Sequence, residues 1–168
     1  MAVAALVAFG TWDGATRHIV PDSPAVGKIW DADAAFVRTV EERLPPGSRV
    51  FQLPVVRFPE SPIVNDLDYY RSAVGYLHSK KLEWSYGAML GRPEAAQQTD
   101  WGERLEKGAT MDPAIADLTG AGFRAIWVDW TAYELGPRAA LRARLVRRLG
   151  PPFAARTDGT TECFRIGQ

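Results

Sequence analysis

The sequence holds a single cysteine, Cys163, and only two histidines in 168 residues. One thiol cannot form an intrachain disulfide, and so few soft ligands supply none of the common zinc spacings, so no metal site is expected. In a strand-like context such a cysteine reads first as buried filler. An excess of charge of either sign is absent as well: 20 basic and 20 acidic side chains cancel. Without a broad positive field the chain lacks the long-range attraction behind non-specific nucleic-acid binding, and nucleic acid is not an expected partner. No apolar run reaches the ~20 residues that cross a bilayer. Gly120-Ala121-Gly122-Phe123 lacks the remaining glycine of a dinucleotide fingerprint and follows a helical pattern, not a strand. There is no phosphate-binding glycine loop and no Gly-x-Ser-x-Gly elbow, and no cofactor is expected. Internal repeats are also missing.

What is present is an ordinary globular composition, 46% hydrophobic and 24% charged. The length suits one domain of roughly 100–200 residues, large enough to bury about 70% of its unfolded surface. Met1 to Gly10 is apolar and free of charged side chains, yet it lacks the basic start of a signal peptide. It reads either as a short buried element or as the outer end of a transmembrane helix whose beginning is missing. The expected organisation is an apolar segment at 1–12 and a single α/β domain at 13–168.

Residues 11–30, with Gly14, Pro21, Pro24 and Gly27, read as irregular. Asp31 or Asp33 can cap a helix over 33–44, where Phe36, Val37, Val40 and Leu44 recur at helical spacing. Pro45-Pro46-Gly47 stops it, and 49–56 reads as a strand that Pro54 either ends or confines to an edge. A proline-broken loop follows, then an aromatic stretch from Asp68 to Arg92 with room for a short helix within 69–79; 93–111 reads as a solvated, flexible connection with room for a helix over about 94–106. Asp112-Pro113 reads as an N-cap followed by proline at the first helical position, and Gly120 and Gly122 end that helix. A strand is predicted over 124–129, and a helix from Pro137 to Leu149 puts Arg142, Arg144, Arg147 and Arg148 toward water. Asp158-Gly159 between two strand-like runs predicts a hairpin with a type I′ turn. Its second strand alternates Cys163 and Arg165 against Phe164 and Ile166, so one buried face is expected. A helical crossover between 49–56 and 124–129 makes those strands parallel neighbours. The fold class is therefore α/β: a single domain with a mixed β-sheet flanked by helices, ending in a β-hairpin.

The candidate site lies at 76–92. Tyr76, Trp84 and Tyr86 offer aromatic faces that stack on the C–H patches of sugar rings, while His78 and Arg92 offer donors to hydroxyls or phosphates. The competing reading packs Trp84 and Tyr86 over the sheet and leaves His78 to local hydrogen bonds. Asp129 closes a buried-looking strand at the edge where open α/β sheets bind ligands; it suits a general base, a hydroxyl acceptor, or a cap for the next turn. Paired with Glu60 or Asp68 it would fit a carbohydrate-active enzyme that works with two carboxylates; Asp66 is a further loop carboxylate. The arginine-rich helix from Arg138 to Arg148 reads as a solvated face, or as a surface for anionic lipid head groups.

Several stretches together resemble the C-terminal extracytoplasmic domain of bacterial polytopic membrane proteins described as sugar translocases, phosphoglycerol transferases or type C glycosyltransferases. The matching pieces are Trp30 to Pro46, Val50-Phe51-Gln52-Leu53-Pro54, Phe58-Pro59-Glu60, Tyr76 to Ser79, Trp84 to Met89 with Gly91-Arg92, Gly122 to Asp129 with Tyr133, and the closing hairpin. Trp84 to Arg92 is the most specific of them. The resemblance implies that an array of membrane helices precedes this domain, that Ala2 to Gly10 is the tail of the last of them, and that the domain lies on the periplasmic face of an inner membrane. It implies a lipid-linked sugar or glycan as partner. The family's catalytic carboxylate lies between early membrane helices, which this chain does not contain, so the resemblance assigns no catalytic residue here and implies an accessory role. A non-catalytic structural or interaction domain remains the alternative.

Overall fold

The computed structural model describes residues 23–59, 64–65, 67 and 70–167. The apolar segment 1–12 and the carboxylates Glu60, Asp66 and Asp68 lie outside the described residues. The chain divides into two compact units, Met1–Ala32 and Asp33–Gln168. The described part of the first is the opening of helix α1 (Ser23–Arg43). Residues 23–30 are thus helical and not irregular as predicted. Pro24 falls in the first turn, where a missing N–H costs no helical hydrogen bond.

The second unit is an α/β domain. Its main sheet uses β1 (Arg49–Leu53), β3 (Glu83–Trp84), β5 (Phe123–Asp129), β6 (Ala154–Ala155) and β7 (Thr161–Arg165) in the order β3-β1-β5-β7-β6. The β1–β3 and β1–β5 pairs are parallel, while β5–β7 and β6–β7 are antiparallel, so the sheet is mixed. Pro54 ends β1, which lies inside the sheet and not at its edge. A separate pair, β2 (Arg57–Phe58) with β4 (Ala88–Met89), is parallel. The remaining helices are α2 (Val74–His78), entered through a 3-10 turn at Arg71–Ala73, then α3 (Glu94–Glu106), α4 (Met111–Gly120) and α5 (Leu135–Leu149).

The period of two along each strand assigns side chains to opposite faces. Phe51, Leu53, Ile126, Val128 and Phe164 point to one side, where Trp101 and Leu105 of α3, Ile115 and Leu118 of α4, and Leu141 and Leu145 of α5 cover them. Val50, Ala125, Trp127 and Cys163 point to the other, against Phe36, Val37, Val40 and Leu44 of α1 and Val74 of α2. Each fully buried Leu or Phe stabilises the fold by roughly 1.5–3 kcal/mol. The expectation of one buried face on β7 is therefore corrected. Helices cover both faces, and Cys163 is as inaccessible as Phe164. Burial pushes the Cys163 thiol well above its ordinary value, with Glu162 adding to the effect.

Two local readings also change. The helix predicted to be capped by Asp112 begins at Met111 after Thr110, whose hydroxyl donates to the Arg104 carbonyl (2.9 Å). Asp112 sits in the first turn, favourable for the helix dipole, and pairs with Arg148. The hairpin is not closed by a type I′ turn, because only Gly159 of the Asp158-Gly159 pair has positive φ (70°). A longer loop spans from Arg156, whose N–H donates to Thr161 O (2.9 Å), and Asp158 ties it by accepting from the Thr160 N–H (2.9 Å) and hydroxyl (2.7 Å).

Candidate binding cavity

Gln52 occupies a buried position in β1, on the face it shares with Trp127, and is 3% exposed. A buried amide must find partners for its polar atoms, and this one does. Its Nε2 donates to Ser72 O (2.8 Å) and its Oε1 accepts from the Tyr86 N–H (2.8 Å), while the Gln52 backbone N–H donates to Ser85 Oγ (2.9 Å). One side chain thus anchors the turn that leads into α2 and the segment that leaves β3. Between those two elements lies a cavity of about 660 Å³, within the range of small-ligand sites.

Tyr76 and Leu77 of α2 form one wall. Trp84, Ser85 and Tyr86 form another, and Met89, Arg92 and the first turns of α3, with Glu94, Ala95 and Gln98, form the third. Tyr86 takes a left-handed conformation (φ 59°), which a non-glycine residue adopts at a cost of ~1–3 kcal/mol. The Gln52 bond and an edge-on contact with Phe58 (5.9 Å between centroids) hold it there. Gly87 follows at φ 73°, and a Cβ on it would run into the Val56 carbonyl, so this tight passage requires glycine. Strain of this kind concentrates at ligand clamps.

Of the residues singled out in the sequence, Tyr76, Trp84, Tyr86 and Arg92 all line this one cavity. Their roles differ. Trp84 is half-buried; its six-membered ring lies against Gly75, where no Cβ would fit, and it meets Trp127 edge-on at 5.3 Å. It is a wall built into the second core cluster, with Nε1 buried and without a hydrogen-bond partner among the described residues. Tyr76 is 69% exposed and is the aromatic ring most open to a ligand. Arg92 and Glu94 are exposed on the rim, and neither makes an ion pair among the described residues. His78 ends α2 and does not line the cavity.

Asp129 is placed elsewhere. It is 4% exposed; Oδ1 accepts from the Thr131 N–H (3.1 Å) and hydroxyl (2.5 Å), and Oδ2 faces Arg71 Nε (3.3 Å). Arg71 also reaches Asp33 (2.7 Å), Asp33 pairs with Arg156, and Arg156 meets Asp158 (2.9 Å). Asp129 therefore caps the 3-10 turn Trp130–Ala132 and closes a chain of charges, buried at Asp33 and Asp129 and exposed at Asp158, that joins α1, β5 and the hairpin. In this geometry both carboxylate oxygens are occupied. Burial opposes the Arg71 charge, but Asp129 and Asp33 outweigh it and raise its pKa.

Four of the five arginines of α5 are likewise engaged, while Arg147 is exposed as predicted. Arg138 donates to Gly159 O (2.8 Å), Arg142 forks onto Glu162 (2.8 and 2.9 Å), Arg144 donates to Glu106 O (2.5 Å) and Arg148 pairs with Asp112. Arg142 and Arg148 are bridges to neighbouring elements more than a solvated face. Among the described residues, no group of three or more His, Cys, Asp or Glu side chains is placed to hold a metal ion, and no helix is long and apolar enough to cross a membrane.

Gln52, Gly75, Gly87, Glu94 and Gln98 were not singled out by the sequence. Gln52 had a visible signal, a polar residue inside the apolar run Val50 to Leu53; the others had none, because their roles depend on what the fold brings beside them. Comparison with protein-family models, with curated proteins and with solved structures found no match to this chain.

Proposed function

We propose that this chain is an extracytoplasmic accessory domain of a membrane glycosyltransferase-like protein, and that its aromatic cavity binds or positions a lipid-linked sugar or glycan. The supporting observation is the convergence of Tyr76, Trp84, Tyr86 and Arg92 on one cavity. An exposed tyrosine ring supplies a stacking face, and Arg92, Glu94, Ser85 and Gln98 supply both donors and acceptors, as a polyhydroxylated ring requires. The membrane setting rests on the sequence resemblance alone. The two-carboxylate enzyme reading gains nothing from Asp129, whose oxygens are held by Arg71 and Thr131.

Trp84→Ala is a poor test, because that ring supports Trp127 and removing it disturbs the core. Tyr76→Ala and Arg92→Ala alter exposed groups only. Calorimetric titration with glycans should show weak binding by the wild type and its loss in both variants, with unchanged melting temperatures. Equal titration of wild type and variants removes the binding reading. A genomic reading frame upstream of Met1 without hydrophobic helices removes the membrane setting.

A further inference from the structure

Helix α5 carries five arginines and no acidic residue. Leu141 and Leu145 bury its inner side in the core. A second apolar stripe, Leu135, Ala139, Ala143 and Val146, recurs at helical spacing on its outer side and lines an open face. Leu135 is 83% exposed. Three arginines complete this face, every lining residue belongs to α5, and no carboxylate is among them. The arginines are not equivalent. Arg142 forks onto Glu162, which offsets its charge. Arg138 is held by an uncharged group, Gly159 O (2.8 Å), and stands over the Trp130 ring, so its charge is fixed in place but not cancelled. Arg147 is exposed and, like Arg138, makes no ion pair among the described residues. At 3.6 residues per turn, Arg138 falls on one side of the stripe and Arg147 on the other. Two uncompensated cations thus flank an exposed apolar stripe, on a chain with no net charge.

We infer that this face of α5 docks on an anionic lipid surface, with the stripe at the acyl boundary and Arg138 and Arg147 among the head-group phosphates. The inference goes beyond the glycan reading and does not rest on what the aromatic cavity binds. An apolar stripe bordered by basic side chains is the design of a helix that lies in a membrane interface, and each arginine near an anionic leaflet adds to the attraction. Because the whole chain is neutral, that attraction is local to this face. Its openness argues against other anions. A free phosphate is held where several donors converge on it, whereas the two uncompensated arginines lie on opposite sides of the stripe. A protein partner seats its main anchors in enclosed pockets, and the flank of a single helix encloses none. A bilayer surface needs neither.

Co-sedimentation of the full chain with vesicles of phosphatidylcholine, alone or with about one-third phosphatidylglycerol, tests this. Binding to the anionic vesicles should be at least about tenfold tighter than to the neutral ones, and should weaken as added salt screens the head groups. Arg147→Glu and Leu135→Ser change exposed side chains, so melting temperatures should not move. Each should weaken binding to anionic vesicles about tenfold, one through charge and the other through lost apolar contact. Arg38→Glu makes the same change in net charge at an exposed position of α1, which packs on the opposite face of the sheet, and should alter binding less than about twofold. Equal binding to neutral and anionic vesicles, as attachment through the apolar run Met1 to Gly10 would give, overturns the inference. So does a loss in Arg38→Glu that matches the loss in Arg147→Glu. Release of the chain by inorganic phosphate at constant ionic strength would assign the face to free phosphate, and tighter binding to polyglutamate than to vesicles would assign it to an acidic protein; either overturns the lipid assignment. Glycan titration of the same preparations keeps the two readings apart, since failure on vesicles leaves the cavity's ligand untouched.

Discussion

The stretch from Met111 to Arg165 and the stretch from Arg71 to Gln98 are built on different principles. The first consists of α4, α5 and the long strands β5 and β7, with side chains at regular spacing feeding the core. The second holds two-residue strands, a five-residue helix, a left-handed tyrosine and glycines fitted against a tryptophan ring and a carbonyl. The candidate cavity belongs to the second. Regular elements bury their faces against one another and leave little concave surface, whereas short elements held by side-chain bonds leave a gap between them. The contrast sets regular core packing in one stretch against the candidate cavity in the other.

The largest effect that bears on this division is expected in the regular stretch. Phe164 is completely buried between the sheet and its helices, and Phe164→Ala should cost about 3–5 kcal/mol through lost transfer energy and the cavity left behind. Chemical denaturation measures it. A cost below ~1 kcal/mol would mean that the C-terminal stretch is not the stabilising half, and the contrast would fail.

Gly75→Ala probes the junction. A Cβ at this position overlaps the six-membered ring of Trp84, so the ring must shift or the helix must move. Overpacking of this kind costs about 1–3 kcal/mol. Because Trp84 lines the cavity, the variant should also weaken ligand binding, which would separate it from a purely core substitution such as Phe164→Ala. Denaturation paired with titration reads both quantities.

The ease of reading the sequence divides along the same line. Helix α5 was legible because Leu141, Leu145, Val146 and Leu149 recur at helical spacing, and the β1–β5 pairing because a helical crossover sets parallel strands side by side, whereas α3 lies in a stretch that reads as a solvated connection. The closing hairpin was announced by Asp158-Gly159, although its loop proved longer than the two-residue kind. The start of α1 was not legible, since Pro24 and Gly27 suggest a loop unless the first-turn tolerance of proline is invoked. Tyr76, Trp84, Tyr86 and Arg92 could be chosen by chemistry alone, but the different parts played by Trp84 and Tyr76 could not. Which aromatic ring faces solvent depends on Gly75 and Trp127, which are distant from each other in sequence. The occupation of Asp129 by Arg71, a partner 58 positions away, was hidden for the same reason.

A smaller effect concerns charge near the regular stretch. Glu106, at the end of α3, accepts from the Tyr133 hydroxyl (2.5 Å). Burial raises its pKa above the ordinary carboxylate value more than the hydrogen bond from Tyr133 lowers it, and Glu103 adds to the rise. A raised folded-state pKa contributes stability that is fully present below the unfolded value and is lost as pH rises through the folded one. Glu106→Gln keeps an acceptor for Tyr133 and removes the buried charge. It should raise the melting temperature at pH 7 and make little difference near pH 4. A variant less stable than wild type at pH 7 would show that the ionised Glu106, bonded by the Tyr133 hydroxyl, supports the fold.

Tyr76→Ala should have the smallest effect on stability and the sharpest bearing on the contrast. Its ring is 69% exposed and belongs to neither core cluster, so truncation should leave the unfolding free energy within about 0.5 kcal/mol of wild type. If the stretch from Arg71 to Gln98 exists for binding, the same change should abolish glycan binding, since it removes the most open stacking face in the cavity. Denaturation and calorimetry on one preparation decide the matter. Lost binding with unchanged stability places function in the irregular stretch. A large loss of stability would mean that Tyr76 is a packing residue and that the aromatic region serves the fold, as the structural alternative holds.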